Sequence, residues 1–149
     1  MLTEEMKKLI SEHSAGMVAT INEDGTPSVS PKATFVILDD RTIAFGNLRS
    51  PGTIANIGNK PSTEVCFIDV LARKAVRVSG TARYLRNAGM SETLKAAFAE
   101  KWSDYMSKFG GVVEISITGT ELLLSPAYDL GLTEPELREA NLAHLQRLS

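Results

Sequence analysis

The chain has 149 residues, 43% of them hydrophobic and 23% charged, with a formal net charge of −2. This length and balance are typical of one globular core, so we expect a single domain spanning residues 1–149. A slightly acidic chain lacks the basic surplus of a general nucleic-acid or acidic-membrane binder, so neither partner is expected. The single cysteine, Cys66, cannot form an internal disulfide, and no apolar run approaches the roughly 18 residues of a membrane helix, so we expect a cytoplasmic protein.

The first elements predicted along the chain are a helix and a β-hairpin. Residues 3–13 predict a helix with Thr3 as its N-cap, because apolar residues recur on one face. Gly16–Ile21 is an apolar run typical of a strand. The turn that follows, Asn22–Pro27, contains an Asp-Gly pair, which supplies the positive φ that hairpin turns need.

The residues after this turn predict one long strand, Ser28–Leu38, with an irregularity in its middle. Pro31 cannot donate to a β-ladder, so this point is expected to be an edge or a bulge. Lys32, which comes next, has two interpretations. It could hydrogen-bond a planar ligand together with free backbone groups, or it could be a lysine that protects an exposed sheet edge.

A polar loop, residues 46–52, lies between the next short strand and a short helix, residues 53–57. Arg49 and Ser50 stand just before the helix, where free N–H groups and a partial positive charge suit an anion such as phosphate. The alternative is an ordinary helix start, with Ser50 as N-cap and Pro51 as first helical residue.

The second half of the chain predicts further strands and two helices. The expected strands are Thr63–Val70, Ala75–Leu85, Val112–Ile117 and Glu121–Leu124, the last of which is either separate or a continuation. The expected helices cover residues 91–109 and the chain from Thr133 onward. Basic residues without acids between Val70 and Ser91 indicate either a solvated sheet face or a lining for a phosphorylated ligand or a partner subunit. Six or so strands with regular turns predict a small antiparallel barrel with helices as insertions and flanks.

The sequence carries no familiar catalytic motif. Two histidines and one cysteine do not supply a metal site of the usual form, and no nucleophile motif or phosphate-binding P-loop occurs. No metal is therefore expected. If the protein is an enzyme, a bound cofactor is expected to carry the reaction.

Several segments in order resemble those of the pyridoxamine 5′-phosphate oxidase-like FMN-binding split-barrel family. They are the first helix leading into GMVATI, then NEDGTPSVSPKA, FGN-LRSPGTIANIGNKP, VCFIDV and KAVRVSGTARYL. Each segment alone is weak, but their order and spacing over residues 1–117 are specific for the fold. The resemblance implies an all-β fold, an antiparallel split barrel with flanking helices, which forms a homodimer with FMN in two clefts at the subunit interface.

The resemblance also implies which residues bind FMN. Arg49, Ser50 and Thr53 match the segment that holds the phosphate, although the oxidase proper has a lysine at the position of Thr53. The strand that lies along the isoalloxazine ring is matched by Ser30, Pro31, Lys32, Ala33 and Thr34. In this assignment Lys32 faces the polar edge of the ring, and Asn47 lies beside the ring or the ribityl chain.

Two departures from the family pattern limit the functional expectation. The oxidase proper has a glutamine that touches the flavin where this chain has Ala75, and its C-terminal Trp–Arg–Leu–His motif is missing here. The expected function is therefore an FMN-dependent oxidoreductase that takes a small-molecule substrate or electron donor, and not a pyridoxamine 5′-phosphate oxidase proper. The alternatives are a non-catalytic flavin-binding or electron-transfer protein, a deazaflavin-binding reductase, and a dimeric barrel that binds another ligand or none; the missing His-rich tail argues against haem.

Overall fold

A computed structural model describes all residues, 1–149, and contains seven strands and four α-helices. The strands are β1 (Gly16–Ile21), β2 (Pro27–Lys32), β3 (Phe35–Asp39), β4 (Thr42–Gly46), β5 (Ser62–Asp69), β6 (Lys74–Leu85) and β7 (Val112–Leu124). The helices are α1 (Glu4–Glu12), α2 (Pro51–Asn59), α3 (Glu92–Met106) and α4 (Glu134–Leu148). None of these helices combines the length and the apolar character that a membrane crossing requires.

All seven strands form one antiparallel sheet in the order β2-β1-β5-β6-β7-β4-β3. The two edge strands, β2 and β3, are neighbours in the chain and are separated only by Ala33 and Thr34. The sheet therefore coils until its two edges approach each other, and the gap between them is the split of the barrel. This is the antiparallel split barrel with flanking helices that the sequence predicts.

The barrel interior is filled by the inward rows of the strands. Phe35, Phe45 and Phe67 are completely buried there, and the rings of Phe35 and Phe67 meet edge-on at 4.7 Å. A Cβ at Gly16 would lie 2.8 Å from both of those rings, so the first strand must begin with glycine to pass them. Truncating one of these phenylalanines to alanine typically costs about 3 to 5 kcal/mol.

Helix α1 closes one end of the barrel, and α3 covers the outer face of β3 and β4. Thr3 caps α1 as predicted, accepting a hydrogen bond from the N–H of Met6. On α3, Phe98 is completely buried, and the indole of Trp102 donates to the carbonyl of Phe35 at 2.9 Å. The backbone of α3 is kinked at Trp102, where φ is −129° and ψ is 34°.

The structure corrects the prediction of one continuous strand over Ser28–Leu38. The chain leaves the first edge after Lys32 and joins the opposite edge at Phe35, so β2 and β3 are separate strands. The expectation of an edge at Pro31 is confirmed, because β2 pairs only with β1. In the second half, β7 runs without interruption from Val112 to Leu124, which is the continuation that the sequence left open.

The C-terminal helix α4 docks on the turn between β5 and β6. The guanidinium of Arg138 lies 2.7 Å from a carboxylate oxygen of Asp69, and the Asn141 amide donates to the carbonyl of Leu71 at 2.8 Å. The ammonium of Lys74 lies 2.7 Å from the carboxylate of Glu134. Polar contacts therefore dominate this docking, since Leu137 is the only buried residue of α4.

Candidate functional site

A groove lies at the split of the barrel, where the end of β2 meets the end of β4 and the loop before α2. Its lining, called the split groove below, consists of Pro31, Lys32, Ala33, Thr34, Gly46, Leu48, Arg49 and Ser50, and its volume is about 210 Å³. Six of the nine residues expected to bind FMN belong to this lining. The other three, Ser30, Asn47 and Thr53, are their neighbours in the chain or in space.

Lys32 is a cation in the split groove without an acidic partner. Its ammonium donates to the hydroxyl of Ser50 at 2.8 Å and makes no ion pair with a carboxylate. Burial lowers the pKa of Lys32 below the ordinary lysine value. A charge that is partly desolvated and not compensated by the protein favours an anion at this position.

The N-terminus of α2 lies next to this ammonium. Ser50 occupies the N-cap position, but its side chain makes no capping bond and instead accepts from Lys32. Thr53, in the first turn, has its hydroxyl 3.3 Å from that of Ser30 on β2. Both Ser50 and Thr53 are buried. The first N–H groups of a helix lack intrahelical partners, so hydroxyls, free amides and an ammonium converge here.

Thr34 shapes the floor of the split groove. Its hydroxyl donates to the carbonyl of Gly46 at 3.2 Å and accepts from the N–H of the same residue at 3.0 Å. Thr34 and Gly46 thereby extend the pairing of β3 with β4 by one position beyond Phe35 and Phe45. Gly46 has no room for a side chain, because a Cβ would overlap the ring of Phe109.

Asn47 follows this floor directly and carries an unpaired polar atom. Its side-chain N–H donates to the hydroxyl of Tyr84 at 3.4 Å, whereas its Oδ1 is buried without a hydrogen-bond partner. Native structures leave few such atoms unpaired, so each calls for an explanation. A ligand that brings a hydrogen-bond donor would satisfy this oxygen, which fits a cofactor with N–H and O–H groups.

The basic residues of β6 differ from Lys32 because they are paired. Arg83 lies 2.7 Å from the carboxylate of Glu114, and Arg77 forms an ion pair with Glu121. Neither Arg77 nor Arg83 therefore carries an uncompensated charge. Arg49, in contrast, is exposed at the rim of the split groove without an ion pair.

Three residues at the site were not predicted from the sequence: Gly46, Phe109 and Tyr84. Each of them contacts the site through a residue that is distant in the sequence. The local pattern around Gly46 indicates only a strand end, that around Phe109 a helix end, and that around Tyr84 an inward strand position. The consecutive glycines Gly110 and Gly111 are the one local signal, since they allow the chain after α3 to pass closely over Asn47 and Tyr84.

Residues 2–124 match the family described as pyridoxamine 5′-phosphate oxidase, and the chain therefore belongs to that family. The structure is similar to HupZ of Group A Streptococcus, with 28% identity and a TM-score of 0.72 over 84% of this chain and 96% of that chain. No curated protein matches the chain.

Two more distant structures share the fold alone. An FMN-binding protein from Syntrophomonas wolfei has 12% identity and a TM-score of 0.65 over 82% of this chain and 86% of that chain. An F420 reductase has 20% identity and a TM-score of 0.62 over 80% of this chain and 98% of that chain. The α4 segment lies beyond the family match, which ends at residue 124.

Proposed function

We propose that this protein binds FMN in the split groove and acts as a flavin-dependent oxidoreductase on a small molecule. The observation that carries the proposal is the ammonium of Lys32, held on Ser50 beside the start of α2 without a compensating carboxylate. A phosphate monoester supplies the negative charge that this arrangement lacks. The family match and the FMN-binding protein of the same fold support flavin as the phosphate's carrier.

The phosphate would be held by Lys32, Arg49, Ser50 and Thr53. The two hydroxyls and the free N–H groups of α2 donate hydrogen bonds, and the two cations supply charge. Because its ammonium lies on Ser50, we assign Lys32 to the phosphate rather than to the edge of the ring. This assignment also compensates for Thr53, which stands where the oxidase proper has a lysine.

The ring and the ribityl chain would lie along the free edge of β2. This strand pairs only with β1, so the backbone groups on its other side are not used by the sheet. Free N–H and C=O groups at a sheet edge can pair with the polar edge of a planar ligand. Ser30, Pro31, Ala33 and Thr34 would contribute backbone and shape, since the hydroxyl of Thr34 is already bonded to Gly46.

When bound, FMN supplies the redox chemistry, accepting a hydride or electrons from a substrate or donor. The residues of this chain bind and orient the cofactor. The lining of the split groove contains no His, Cys, Asp, Glu or Tyr. With Lys32 assigned to the phosphate, no side chain of the lining is left to act as an acid or base, and this favours the second candidate, a non-catalytic flavin or electron carrier.

We further propose that the chain folds as one domain and forms a homodimer. In this dimer the second copy completes the site. A groove of about 210 Å³ is smaller than the roughly 300 Å³ at which ligand pockets begin. Beside it, the outer face of β1, β2 and β5 exposes Met17, Val29 and Ile68. A symmetric contact through this face would cover these side chains and enclose the ligand.

The first test is an absorption spectrum of the purified protein before and after incubation with FMN and gel filtration. We expect bound oxidised flavin and a dimer by light scattering. Reduction by NAD(P)H with turnover would separate the oxidoreductase from the carrier. A protein that retains no FMN would refute the proposal, and retention of a deazaflavin instead would assign the site to that cofactor.

A further inference from the structure

The backbone of Asn47 is fixed from both sides by the segment that follows α3. Its N–H donates to the carbonyl of Gly111 at 2.9 Å, and its carbonyl accepts from the N–H of Gly110 at 3.0 Å. Its chain neighbours Gly46 and Leu48 both line the split groove. The position of Asn47 is therefore set, and only the orientation of its carboxamide is left to the side-chain contacts.

The protein supplies one side-chain partner for that carboxamide. The hydroxyl of Tyr84 lies 3.4 Å from the amide nitrogen of Asn47, and Oδ1 is buried without a partner. A primary amide has two donors and an acceptor, so the pair leaves hydrogen-bonding capacity unused next to the split groove.

Tyr84 is itself packed between the core and the segment after α3. Its ring stands in the inward row of β6 and packs on the main core. A Cβ at Gly111 would lie 2.8 Å from its hydroxyl, so only a glycine at this position leaves room for the ring. The hydroxyl is therefore a fixed point from which the Asn47 amide can be oriented.

We propose that Tyr84 is a positioning residue of the flavin site, which holds the Asn47 carboxamide so that its oxygen accepts a hydrogen bond from the cofactor. The donor is an imide N–H of the ring or a ribityl hydroxyl. This inference rests on the proposed FMN site and adds to it a residue on β6 that does not line the split groove.

The test compares Tyr84→Phe with Tyr128→Phe as a matched control. Both substitutions remove one phenol hydroxyl, and that of Tyr128 donates to the carbonyl of Ala72 beside α4 instead. Loss of one neutral hydrogen bond should weaken FMN binding about three- to tenfold in Tyr84→Phe and shift the visible flavin spectrum. Tyr128→Phe should bind FMN as the wild type does.

A double-mutant cycle tests whether Tyr84 acts through Asn47. In an Asn47→Ala background, Tyr84→Phe should have no further effect on the FMN dissociation constant. In the flavin-free protein, the side-chain amide signals of Asn47 in ¹⁵N NMR should move in Tyr84→Phe and stay in Tyr128→Phe. Additive effects, wild-type affinity in Tyr84→Phe, or unmoved amide signals would overturn the inference.

The wild-type measurement separates the two proposals. Wild-type FMN binding with equal affinity in Tyr84→Phe refutes the positioning role alone. A wild-type protein that binds no flavin refutes the flavin site and, with it, the inference.

Discussion

Two charged regions of this molecule, the split groove and the turn that carries α4, differ in how their charges are balanced. At the turn, the Asp69 cluster consists of Asp69, His13 and Arg138. Asp69 is buried, accepts from the N–H groups of Leu71 and Ala72, and lies 2.7 Å from Arg138 and 3.4 Å from His13. In the split groove, Lys32 has only a hydroxyl as its partner.

The pKa shifts of the two regions express this difference. Burial, the largest effect on Asp69, would raise its pKa, but hydrogen bonds from Ala72 and Arg138 and the charge of His13 more than offset it and lower the pKa. For Lys32, burial acts alone and lowers the pKa. Thus the native fold stabilises the charged form of Asp69 and disfavours the charged form of Lys32. A compensated charge serves the fold, whereas an uncompensated one is what a site for an anionic ligand requires.

The largest expected effect is a loss of stability when Asp69, whose charge is compensated by its partners, is replaced. Replacing Asp69 by alanine removes the acceptor of two N–H groups and of Arg138, so Asp69→Ala should lower the free energy of unfolding by about 3 kcal/mol. Denaturant unfolding measures this. Asp104→Ala, at an exposed position of α3, is the control and should change little. A loss of less than about 1 kcal/mol would place the Asp69 cluster among ordinary surface pairs.

The next largest effect concerns Lys32, whose charge is not compensated. Here we expect FMN affinity to fall and stability to be kept. Lys32→Met keeps the aliphatic stem and removes the charge, so FMN affinity should fall about 30-fold, which corresponds to about 2 kcal/mol. The unfolding free energy of the flavin-free protein should not fall, since the charge of Lys32 is not stabilised there. Lys60→Met, at the other end of α2, is the control. If Lys32→Met destabilised the protein without weakening FMN binding, the charge of Lys32 would serve the fold and not a ligand.

Arg49→Ala should have a smaller effect on binding because its side chain is exposed at the rim. We expect at least a tenfold weaker FMN affinity, about 1.4 kcal/mol, by fluorescence titration. Arg41→Ala, on the turn between β3 and β4, removes an exposed arginine far from α2 and should leave the affinity unchanged. Equal affinities in a folded Arg49 variant would remove this residue from the phosphate site.

The smallest effect is a pH dependence of FMN binding. The phosphate attracts the charged form of Lys32, so this contribution is present below the pKa of Lys32 and is lost as pH rises through it. Because burial lowers that pKa, the loss should begin at a lower pH than for an ordinary lysine. FMN titrations at increasing alkaline pH should show weakening in the wild type that is absent in Lys32→Met. Parallel profiles for the two proteins would contradict this role.

The sequence predicts the split barrel well because local patterns determine most of its elements. Alternating apolar residues, the Asp-Gly turn and the cap Thr3 act over short distances, and the structure has them as predicted. The sequence fails to predict the break between β2 and β3. After Lys32 the chain crosses to the opposite edge of the sheet, where Thr34 bonds to Gly46 beside the start of β3, and no local pattern contains that contact.

The same reason separates the predictable part of the site from the rest. The residues expected to bind FMN fall within two short segments, 30–34 and 47–53, so their recognition requires only a local motif. Tyr84 approaches Asn47 from a strand 37 residues further along the chain. His13, at the end of α1, meets Asp69, at the end of β5, in the same way. Such pairs depend on the folded topology and on nothing in their immediate sequence.

The most direct test of the phosphate assignment is to compare the affinities of the wild-type protein for FMN and for riboflavin. The two ligands share the ring and the ribityl chain and differ only in the phosphate. If Lys32, Arg49 and the start of α2 hold that phosphate, FMN should bind at least about tenfold more tightly, and Lys32→Met should reduce the difference. Equal affinities for FMN and riboflavin, or no binding of either, would contradict the account.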